Sequence, residues 1–267
     1  RLDRKSTLVA VGGGVVGDLG GFAAAVYMRG IDWINVPTTL LAQLDSSIGG
    51  KTGVDLKGYK NMVGAFHLPK AVHIRTDFIK TLVQREVLCG LGEGFKTALL
   101  CETAQKEWKA LSGEKSAETD CFALVNACAR FKEKVVNSDF KESGTRKILN
   151  LGHTVGHALE YLDAHKLSHG EYVAVGLAVE AGIGARLGKI SRASCKYIES
   201  EAAKLAPDFK RLVTSFGAEA IAEAAMSDKK NVGGKISFML AENYVTSEIF
   251  LTKEELNKEL DEWKSSL

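Results

Sequence analysis

The hydrophobic pattern of this chain changes once, near residue 81, and that change limits the folds open to it. Before this point, short apolar runs alternate with segments of helical spacing, which favours a mostly parallel sheet with crossover helices. Beyond it, apolar residues recur with a period of about 3.6, as they do in amphipathic helices. The sequence therefore predicts an α/β domain over residues 1–80 and an all-α domain over residues 81–267.

The same pattern predicts where individual elements lie. In the first domain we expect strands at 6–11, 33–36 and 72–74, helices at 19–28 and 40–47, and a polar loop after residue 53. In the second we expect helices at 84–101, 103–111, 118–138, 146–162, 171–188, 191–204, 218–226 and 253–264, and short strands at 235–241 and 245–251.

Composition narrows the class of protein. With 45% hydrophobic and 25% charged residues, the chain has the balance of a soluble globular protein. Its formal charge of +2 gives no reason to expect nucleic acid or an anionic membrane as a partner. The apolar run from Val173 to Leu187 is interrupted by glycines and Glu180, so it predicts a buried helix rather than a membrane span.

The cysteine content indicates the cellular compartment, and the first residue indicates where the native chain begins. Five scattered cysteines form no C-x-x-C pair, so we expect a reducing compartment. The cytoplasm fits this expectation, as does a plastid if the chain comes from a plant or alga. Because the sequence opens on Arg1 rather than Met, we expect the native chain to begin further upstream.

A glycine motif lies between the first strand and the first helix. Gly12, Gly14 and Gly17 match G-x-G-x-x-G, and in this position backbone N–H groups and a helix N-terminus can hold a pyrophosphate. The motif predicts nucleotide or phosphate binding in a Rossmann-like domain. Asp32 stands about 20 residues on, where a ribose-binding acid is expected, but it precedes a strand instead of ending one. The adenosine-binding part is therefore expected upstream.

Two histidines have the spacing of metal ligands. His153 and His157 share one face of a helix, about one turn apart, and His169 follows after enough residues for the chain to turn back. An i,i+4 histidine pair is more often a packed, hydrogen-bonded pair than a metal site. Gly152 and Gly156 favour a site, because each costs about 1 kcal/mol of helix propensity relative to Ala and so indicates close approach.

A carboxylate could complete such a site. Glu93 and Lys96 are three residues apart and would form a surface ion pair if nothing else were near. Beside the histidines, Glu93 becomes a candidate third ligand. Two imidazoles, one carboxylate and an open position are typical of a catalytic zinc site.

Several motifs in order resemble the 3-dehydroquinate synthase family of sugar phosphate cyclases, from about Ser6 to Leu240. They are Gly-Gly-Gly-Val-Val-Gly-Asp (12–18), Met-Arg-Gly (28–30), Pro-Thr-Thr-Leu-Leu-Ala-Gln-Leu-Asp-Ser-Ser-Ile-Gly-Gly-Lys-Thr (37–52), Lys-Asn-Met-Val-Gly-Ala-Phe (60–66), Glu-Gly-Phe-Lys (93–96), Leu-Asn-Leu-Gly-His-Thr-Val-Gly-His-Ala-Leu-Glu (149–160), His-Gly-Glu (169–171) and Asp-Lys-Lys (228–230).

The resemblance implies a dehydroquinate synthase-like fold, NAD as cofactor and a metal, Zn²⁺ or Co²⁺, held by Glu93, His153 and His169. His157 would then face the substrate, whereas its spacing alone would make it a ligand. The implied NAD contacts are Gly14, Val15, Val16, Gly17, Asp18, Thr38, Thr39, Lys51, Lys60, Phe78 and Thr81.

The family's substrate carries a carboxylate and a phosphate, and the resemblance implies which residues act on it. They are Arg29, Asp45, Lys51, Asn61, Lys96, Lys132, Arg146, Asn150, His157 and one of Lys229 and Lys230, with Glu142 as a proton-handling carboxylate. Arg29 is expected to reach the phosphate bound by a partner subunit, which implies a homodimer.

The implied activity is conversion of 3-deoxy-D-arabino-heptulosonate 7-phosphate to 3-dehydroquinate and phosphate, a step of the shikimate pathway. Three alternatives stay open: a sister sugar phosphate cyclase, a metal-dependent polyol or alcohol dehydrogenase, and a non-catalytic metal-binding or assembly module. Lys132, Arg146 and Asn150 favour a carboxylated substrate.

The chain departs from the family pattern at a few positions. Gly92 and Gly94 flank Glu93, where they could loosen the start of the metal-bearing helix, and Asp55 stands where Asn is common. The family's chains also extend further upstream.

Overall fold

The computed structural model describes residues 2–56, 59–111, 120–227 and 233–267, with backbone only at 59–61. The chain divides into two units, each discontinuous in sequence. The first contains Arg1–Gly90 and Lys109–Arg146, and the second contains Leu91–Trp108 and Lys147–Leu267. Residues 109–146, which the pattern assigned to the helical domain, thus cluster with the first unit, and the domain boundary at residue 80 stays a prediction.

A parallel sheet forms the core of the first unit. Strand β1 (Thr7–Gly12) leads through helix α1 (Gly14–Val26) and a 3₁₀ turn (Tyr27–Arg29) to β2 (Asp32–Pro37), and the two strands pair in parallel. Strands β3 (Lys51–Leu56) and β4 (Tyr59–Phe66) form an antiparallel hairpin, and β5 (Ala71–Val72) returns to pair with β2 in parallel. The sheet order is β1-β2-β5, which confirms the mostly parallel α/β part.

The helix predicted over 40–47 is confirmed over residues 40–46, with a π-helical segment at Ala42–Ser46, and Gly49 and Gly50 then redirect the chain with positive φ values of 112° and 64°. Another expectation for the first unit is wrong. The predicted polar loop is largely strand, because residues 53–56 belong to β3 and residues 59–61 to β4, while residues 57 and 58 lie outside the described residues. Its strands escaped notice because Gly53 pairs with Gly64, and glycine has little intrinsic strand preference.

Helices dominate the rest of the chain, as the 3.6 period predicts. After a 3₁₀ turn at Thr76–Thr81 come α2 (Gln84–Leu100), α3 (Glu102–Ala110), α4 (Phe122–Ser138), a 3₁₀ turn at Thr145–Asn150, α5 (His153–Leu162), α6 (His169–Arg186), α7 (Arg192–Leu205), α8 (Phe209–Thr214) and α9 (Ala218–Met226). The hairpin of β6 (Ile236–Glu242) and β7 (Val245–Leu251) and helix α10 (Lys253–Lys264) complete the chain. The α/β part followed by a mostly helical part is confirmed.

Helix α6 is the centre of the second unit. Every residue from Tyr172 to Gly184 is buried, and the helix packs against α5, α7, α10 and β6. The buried helix predicted for the apolar run from Val173 to Leu187 is confirmed as far as Gly184, and α6 ends at the exposed Arg186. Among the residues that the structure describes, no helix is both long and apolar enough to span a bilayer.

The helix predicted over 146–162 is broken before its histidines. Gly152 adopts a left-handed conformation (φ 75°) and α5 starts at His153. The carboxylate of Glu180, from α6, accepts hydrogen bonds from the backbone nitrogens of Gly152 and Val155, each at 2.9 Å. Glu180 is 1% exposed, so a buried charge satisfies the N–H donors at the start of α5 and fixes where this helix begins.

Glycine also allows α5 and α6 to approach closely. A Cβ atom at Gly176 would overlap the carbonyl oxygen of Gly152 and lie 2.7 Å from the backbone nitrogen of Gly156. Since both are backbone atoms, no side-chain rotation could relieve the overlap.

We expect Gly176→Ala to lower the free energy of unfolding by about 2 to 3 kcal/mol, because the two helix backbones must separate. Gly217→Ala is the matched control, since a Cβ there meets no described atom within 4 Å, and it should change stability by less than about 1 kcal/mol. Urea denaturation of both variants checks this. Equal stability of Gly176→Ala and the parent chain would show that the helix contact is not close.

Candidate metal, nucleotide and substrate sites

Three helices of the second unit bring one carboxylate and three imidazoles together. Glu93 lies on α2, His153 and His157 lie on α5, and His169 opens α6. Glu93 Oε1 is 3.3 Å from His153 Nε2 and 3.1 Å from His169 Nε2. One ring nitrogen from each histidine lies within 4.8 Å of the other two. The three residues predicted as metal ligands are therefore neighbours.

The Nδ1 atoms of His153 and His169 each contact a hydrogen-bond acceptor. His153 Nδ1 lies 3.0 Å from the carbonyl oxygen of Leu151, and His169 Nδ1 lies 3.3 Å from Glu160 Oε2. Since both contacts are with acceptors, they favour a hydrogen on each Nδ1 and leave Nε2 as the atom of each ring that faces Glu93. Imidazole ligands in metal sites are arranged in this manner.

His157 belongs to the same cluster, with its ring centroid 5.1 Å from that of His153 and 5.6 Å from that of His169. The i,i+4 spacing on α5 thus brings both rings to one place, as predicted. Whether His157 is a ligand, as its spacing suggests, or faces the substrate, as the resemblance implies, stays a prediction.

Lys96 neutralises part of the cluster. Its Nζ lies 2.5 Å from Glu93 Oε2, and both side chains are 2% exposed, so the surface ion pair considered from the sequence is wrong. Burial acts to raise the pKa of the Glu93 carboxyl, but Lys96 and the histidines outweigh it and hold this pKa well below its usual range.

The pKa values of the two histidines beside Glu93 shift in opposite directions. Burial, reinforced by Lys96, lowers the pKa of His153 to about 3 despite the attraction of Glu93. Burial also acts to lower the pKa of His169, but two carboxylates, Glu160 and Glu93, contact this ring and raise its pKa to about 9. The difference arises because His169 has a second carboxylate and His153 has a backbone carbonyl.

The first unit has a small, partly open cavity at the glycine motif. It is lined by Gly13, Gly14, Gly17, Asp18, Trp33, Asn35, Ala42, Ser46, Ser47, Gly50 and Lys51. Four of the residues predicted to contact NAD are among them: Gly14, Gly17, Asp18 and Lys51. Since α1 begins at Gly14 rather than at residue 19, the cavity contains a helix N-terminus, which is suited to an anion.

The other residues expected to contact NAD lie in several environments. Thr38 donates its backbone N–H to Gly12 O (2.9 Å), and Thr39 Oγ1 accepts from the backbone nitrogen of Ala42 (3.3 Å). Val15 and Val16 are exposed on α1, and Phe78 and Thr81 lie in the 3₁₀ turn Thr76–Thr81. The Lys60 side chain lies outside the described residues. All of these contacts stay predictions.

Predicted substrate residues of the first unit form ion pairs. Lys51 pairs with Glu142. Lys132 Nζ lies 3.0 Å from Asp45 Oδ1 and donates to Asp45 O at 2.7 Å. The Arg146 side chain is buried, and its guanidinium donates to the carbonyl oxygens of Phe140 (2.6 Å) and Gly49 (3.2 Å). The cations are therefore held in place by their own unit.

Asp139 organises the loop that leads to Arg146, although it is not among the predicted site residues. Its carboxylate accepts from the backbone nitrogens of Ser143 (3.0 Å), Gly144 (2.7 Å) and Arg146 (3.0 Å). These N–H groups stabilise the ionised form and lower the pKa of Asp139 to about 2. An aspartate shortly before Ser143-Gly144 is a turn signal that could have revealed it.

The remaining residues predicted to act on the substrate lie in turns or outside the described residues. Arg29 is exposed and has a left-handed backbone (φ 69°), directly after Met28 (φ 49°). Asn150 closes a 3₁₀ turn and belongs to the second unit, whereas Arg146 belongs to the first. The Asn61 side chain, Lys229 and Lys230 lie outside the described residues.

The carboxyl group of Asp18 predicts how the stability of the fold depends on pH. Burial raises its pKa to about 6, with Lys132 opposing and Asp55 reinforcing the shift. Below about pH 3 the carboxyl is mostly neutral in both the folded and the unfolded chain. As pH rises to 6 the unfolded chain ionises first, so the folded state loses stability. Asp18→Asn removes this penalty and should stabilise the fold above pH 6 by about 1 to 2 kcal/mol, allowing for solvent screening.

Thermal or urea unfolding across pH 4 to 8 measures the effect of Asp18→Asn. Asp77→Asn serves as the control, because Asp77 is exposed and the hydrogen bond from Arg75 lowers its pKa, so it should give no such gain. A benefit of Asp18→Asn that is greatest at pH 4 would contradict the assigned shift.

Comparison with known proteins agrees with this arrangement. Residues 1–89 match the sequence model for the 3-dehydroquinate synthase N-terminal domain, and residues 90–231 match that for the C-terminal domain. The chain is 44% identical over 263 residues to the 3-dehydroquinate synthase of Alkaliphilus metalliredigens (strain QYMF), covering 96% of this chain and 72% of that protein.

Solved structures show the same fold. A 2-deoxy-scyllo-inosose synthase complexed with carbaglucose-6-phosphate, NAD⁺ and Co²⁺ superimposes with a TM-score of 0.80 at 26% identity, covering 98% of this chain and 74% of that one. The 2-epi-5-epi-valiolone synthase from Streptomyces hygroscopicus subsp. jinggangensis 5008 gives 0.82 at 23% identity, with 100% and 76% covered, and supports the fold alone. From its matches to both domains, the chain belongs to the 3-dehydroquinate synthase family.

Proposed function

We propose that this chain is a lyase that converts 3-deoxy-D-arabino-heptulosonate 7-phosphate to 3-dehydroquinate and phosphate, with catalytic NAD and a divalent metal ion. The observation that carries the proposal is the buried cluster of Glu93, His153 and His169, in a chain 44% identical to a 3-dehydroquinate synthase. The shikimate pathway and aromatic amino acid biosynthesis are its metabolic setting.

The donor atoms of the cluster fit a zinc-type ion. Ligands about 2.0 to 2.1 Å from a tetrahedral ion are separated by roughly 3.3 Å, and the two imidazole nitrogens lie 3.3 and 3.1 Å from Glu93 Oε1. One carboxylate and two neutral imidazoles also suit Zn²⁺ or Co²⁺ chemically. When bound, the ion would act as a Lewis acid that stabilises negative charge on substrate oxygens.

The glycine cavity of the first unit supports NAD binding. Gly13, Gly14 and Gly17 line it at the start of α1, where backbone N–H groups favour a pyrophosphate. The synthase structure at 26% identity contains NAD⁺. When bound, NAD would supply reversible hydride transfer, so the reaction would consume no net oxidant.

The charged residues would bind the two anionic ends of the substrate and move protons. Lys132, held by Asp45, and Arg146, held by two backbone carbonyls, are positioned cations that suit a carboxylate or phosphate. Glu142, paired with Lys51, is a carboxylate that can accept a proton from the substrate. His157, beside the two proposed ligands, is placed to contact a substrate atom bound near the ion.

We assign the metal-facing role to Glu93, His153 and His169, and substrate contacts to Asn61, Lys96, Asn150 and one lysine of the pair at 229–230. Arg29 would act in the site of a partner subunit, which makes a homodimer the working form. Its exposed, left-handed turn supports this assignment.

Turnover assays test the proposed reaction. The chain with Zn²⁺ or Co²⁺ and NAD should release phosphate from 3-deoxy-D-arabino-heptulosonate 7-phosphate without accumulating NADH. Phosphate release from a non-carboxylated sugar phosphate, and not from this substrate, would indicate a sister cyclase. Accumulation of NADH with a simple polyol would indicate a dehydrogenase, and metal binding without NAD binding in calorimetry would indicate a non-catalytic module.

Subunit complementation tests Arg29. Arg29→Ala and His153→Ala should each be inactive alone, because each lacks an essential group. Mixed after unfolding and refolding together, they should recover up to about a quarter of the parent activity, since half of the dimers are mixed and each has one intact site. Arg4→Ala, another exposed arginine of the first unit, is the control and should be active alone. Failure of the mixture to recover activity, with dimers present, would place Arg29 in its own subunit's site.

A further inference from the structure

Glu160 lies on the same stripe of α5 as the two histidines. His153, His157 and Glu160 follow one another at i, i+4 and i+7, so their side chains share one face of the helix. The carboxylate is 9% exposed. It stands two residues before the end of the helix, where the helix dipole disfavours negative charge. The stability of α5 therefore does not explain a buried carboxylate at this position.

The contacts of Glu160 explain it instead. One oxygen, Oε2, lies 3.3 Å from His169 Nδ1, and the other, Oε1, lies 3.2 Å from His165 Nδ1. The Nε2 atom of His169 faces Glu93 at 3.1 Å. Glu160 and Glu93 thus hold opposite edges of one imidazole.

The loop after α5 is shaped to support this contact. Ala164 and His165 both have left-handed backbones (φ 53° and 59°), and the backbone nitrogen of His165 donates to Glu160 O at 3.1 Å. Two successive left-handed residues other than glycine are costly. This turn brings the half-exposed His165 ring back onto the carboxylate, which restrains Glu160 from its solvent side.

The proposed ligands differ in how their outer nitrogens are held. His153 Nδ1 contacts a backbone carbonyl, that of Leu151, so no side-chain substitution can remove its acceptor. His169 Nδ1 contacts a side chain, and its ring is 32% exposed against 11% for His153. The less buried ligand is therefore the one that depends on a carboxylate for its orientation.

From these contacts we infer that Glu160 is a positioning residue for metal binding. It accepts the Nδ1 hydrogen of His169 and so directs Nε2 toward Glu93, where this nitrogen would meet the ion. The inference rests on the proposed function, since it takes His169 as a ligand. A carboxylate bound to the outer nitrogen of a ligating histidine also increases the basicity of that ligand.

Metal affinity of the full 267-residue chain tests the inference. Glu160→Ala should bind Zn²⁺ about 10- to 100-fold more weakly than the parent, the range seen when outer-shell partners are removed. Glu160→Gln should lose less, because its amide oxygen can still accept from Nδ1. Competition with a chelating dye gives the affinities, and the visible absorption of bound Co²⁺ should change in Glu160→Ala, because the ligand geometry is less well held.

Asp163→Asn is the matched control. Asp163 lies at the end of the same helix and is 7% exposed, but its carboxylate accepts from Tyr172 (2.8 Å) and Lys166 (3.1 Å). Its loss should affect thermal stability and leave the Zn²⁺ affinity and the Co²⁺ spectrum unchanged. Equal effects of Asp163→Asn and Glu160→Ala on both would mean that the loss is structural, and they would overturn the inference.

Different results would contradict the proposed metal site and the proposed role of Glu160. If the parent chain and His153→Ala bind Zn²⁺ equally, the proposed metal site is wrong. If the parent binds tightly, His153→Ala does not, and folded Glu160→Ala binds like the parent, the metal site stands and the role of Glu160 is overturned.

Discussion

The second unit is organised around one buried negative charge, that of Glu93. A carboxylate that is 2% exposed costs several kcal/mol unless cations and hydrogen-bond donors surround it. Lys96 supplies the cation one helical turn away, and His153 and His169 supply two ring nitrogens from other helices. Together these contacts concentrate strong electrostatic interactions in a largely buried region, where a divalent ion would interact with them more strongly than in water.

Keeping these groups in place requires that α5 and α6 hold a fixed relation within their unit. Gly176 lets the two backbones come close, and Glu180 reaches across to accept the first N–H groups of α5. Since α6 also carries His169 at its first turn, one helix pair sets the positions of three histidines. The small residues between α5 and α6 keep the imidazoles close together, because any separation of the helices would move the imidazoles apart.

In the first unit, backbone N–H and carbonyl groups position the proposed binding residues. The start of α1 presents N–H donors at the glycine cavity, and Asp139 gathers three backbone donors to shape the segment that contains Glu142 and Arg146. Arg146 is in turn held by two carbonyl oxygens. Cations fixed in this way lose little conformational freedom when they meet an anion, which favours binding.

Local patterns in the sequence were enough to predict the α/β and helical parts, the buried α6 and the shared face of His153 and His157, because each depends on a repeat within a few turns or strands. The order of the motifs identified the family that the chain resembles. Sequence patterns did not show that Gly152 breaks the predicted helix, that Gly53 and Gly64 pair in a hairpin, or that Glu160, Glu180 and Asp139 support the proposed site residues. The break at Gly152 depends on a contact with Glu180, which lies 28 residues further on, and Glu160 acts on a histidine of the next helix. Asp139 shapes a local turn whose signal is weak. The sequence by itself determined which chemical groups are present and which helix faces they share; only the tertiary structure decided which of them are buried together, because burial and pairing arise from packing between distant segments.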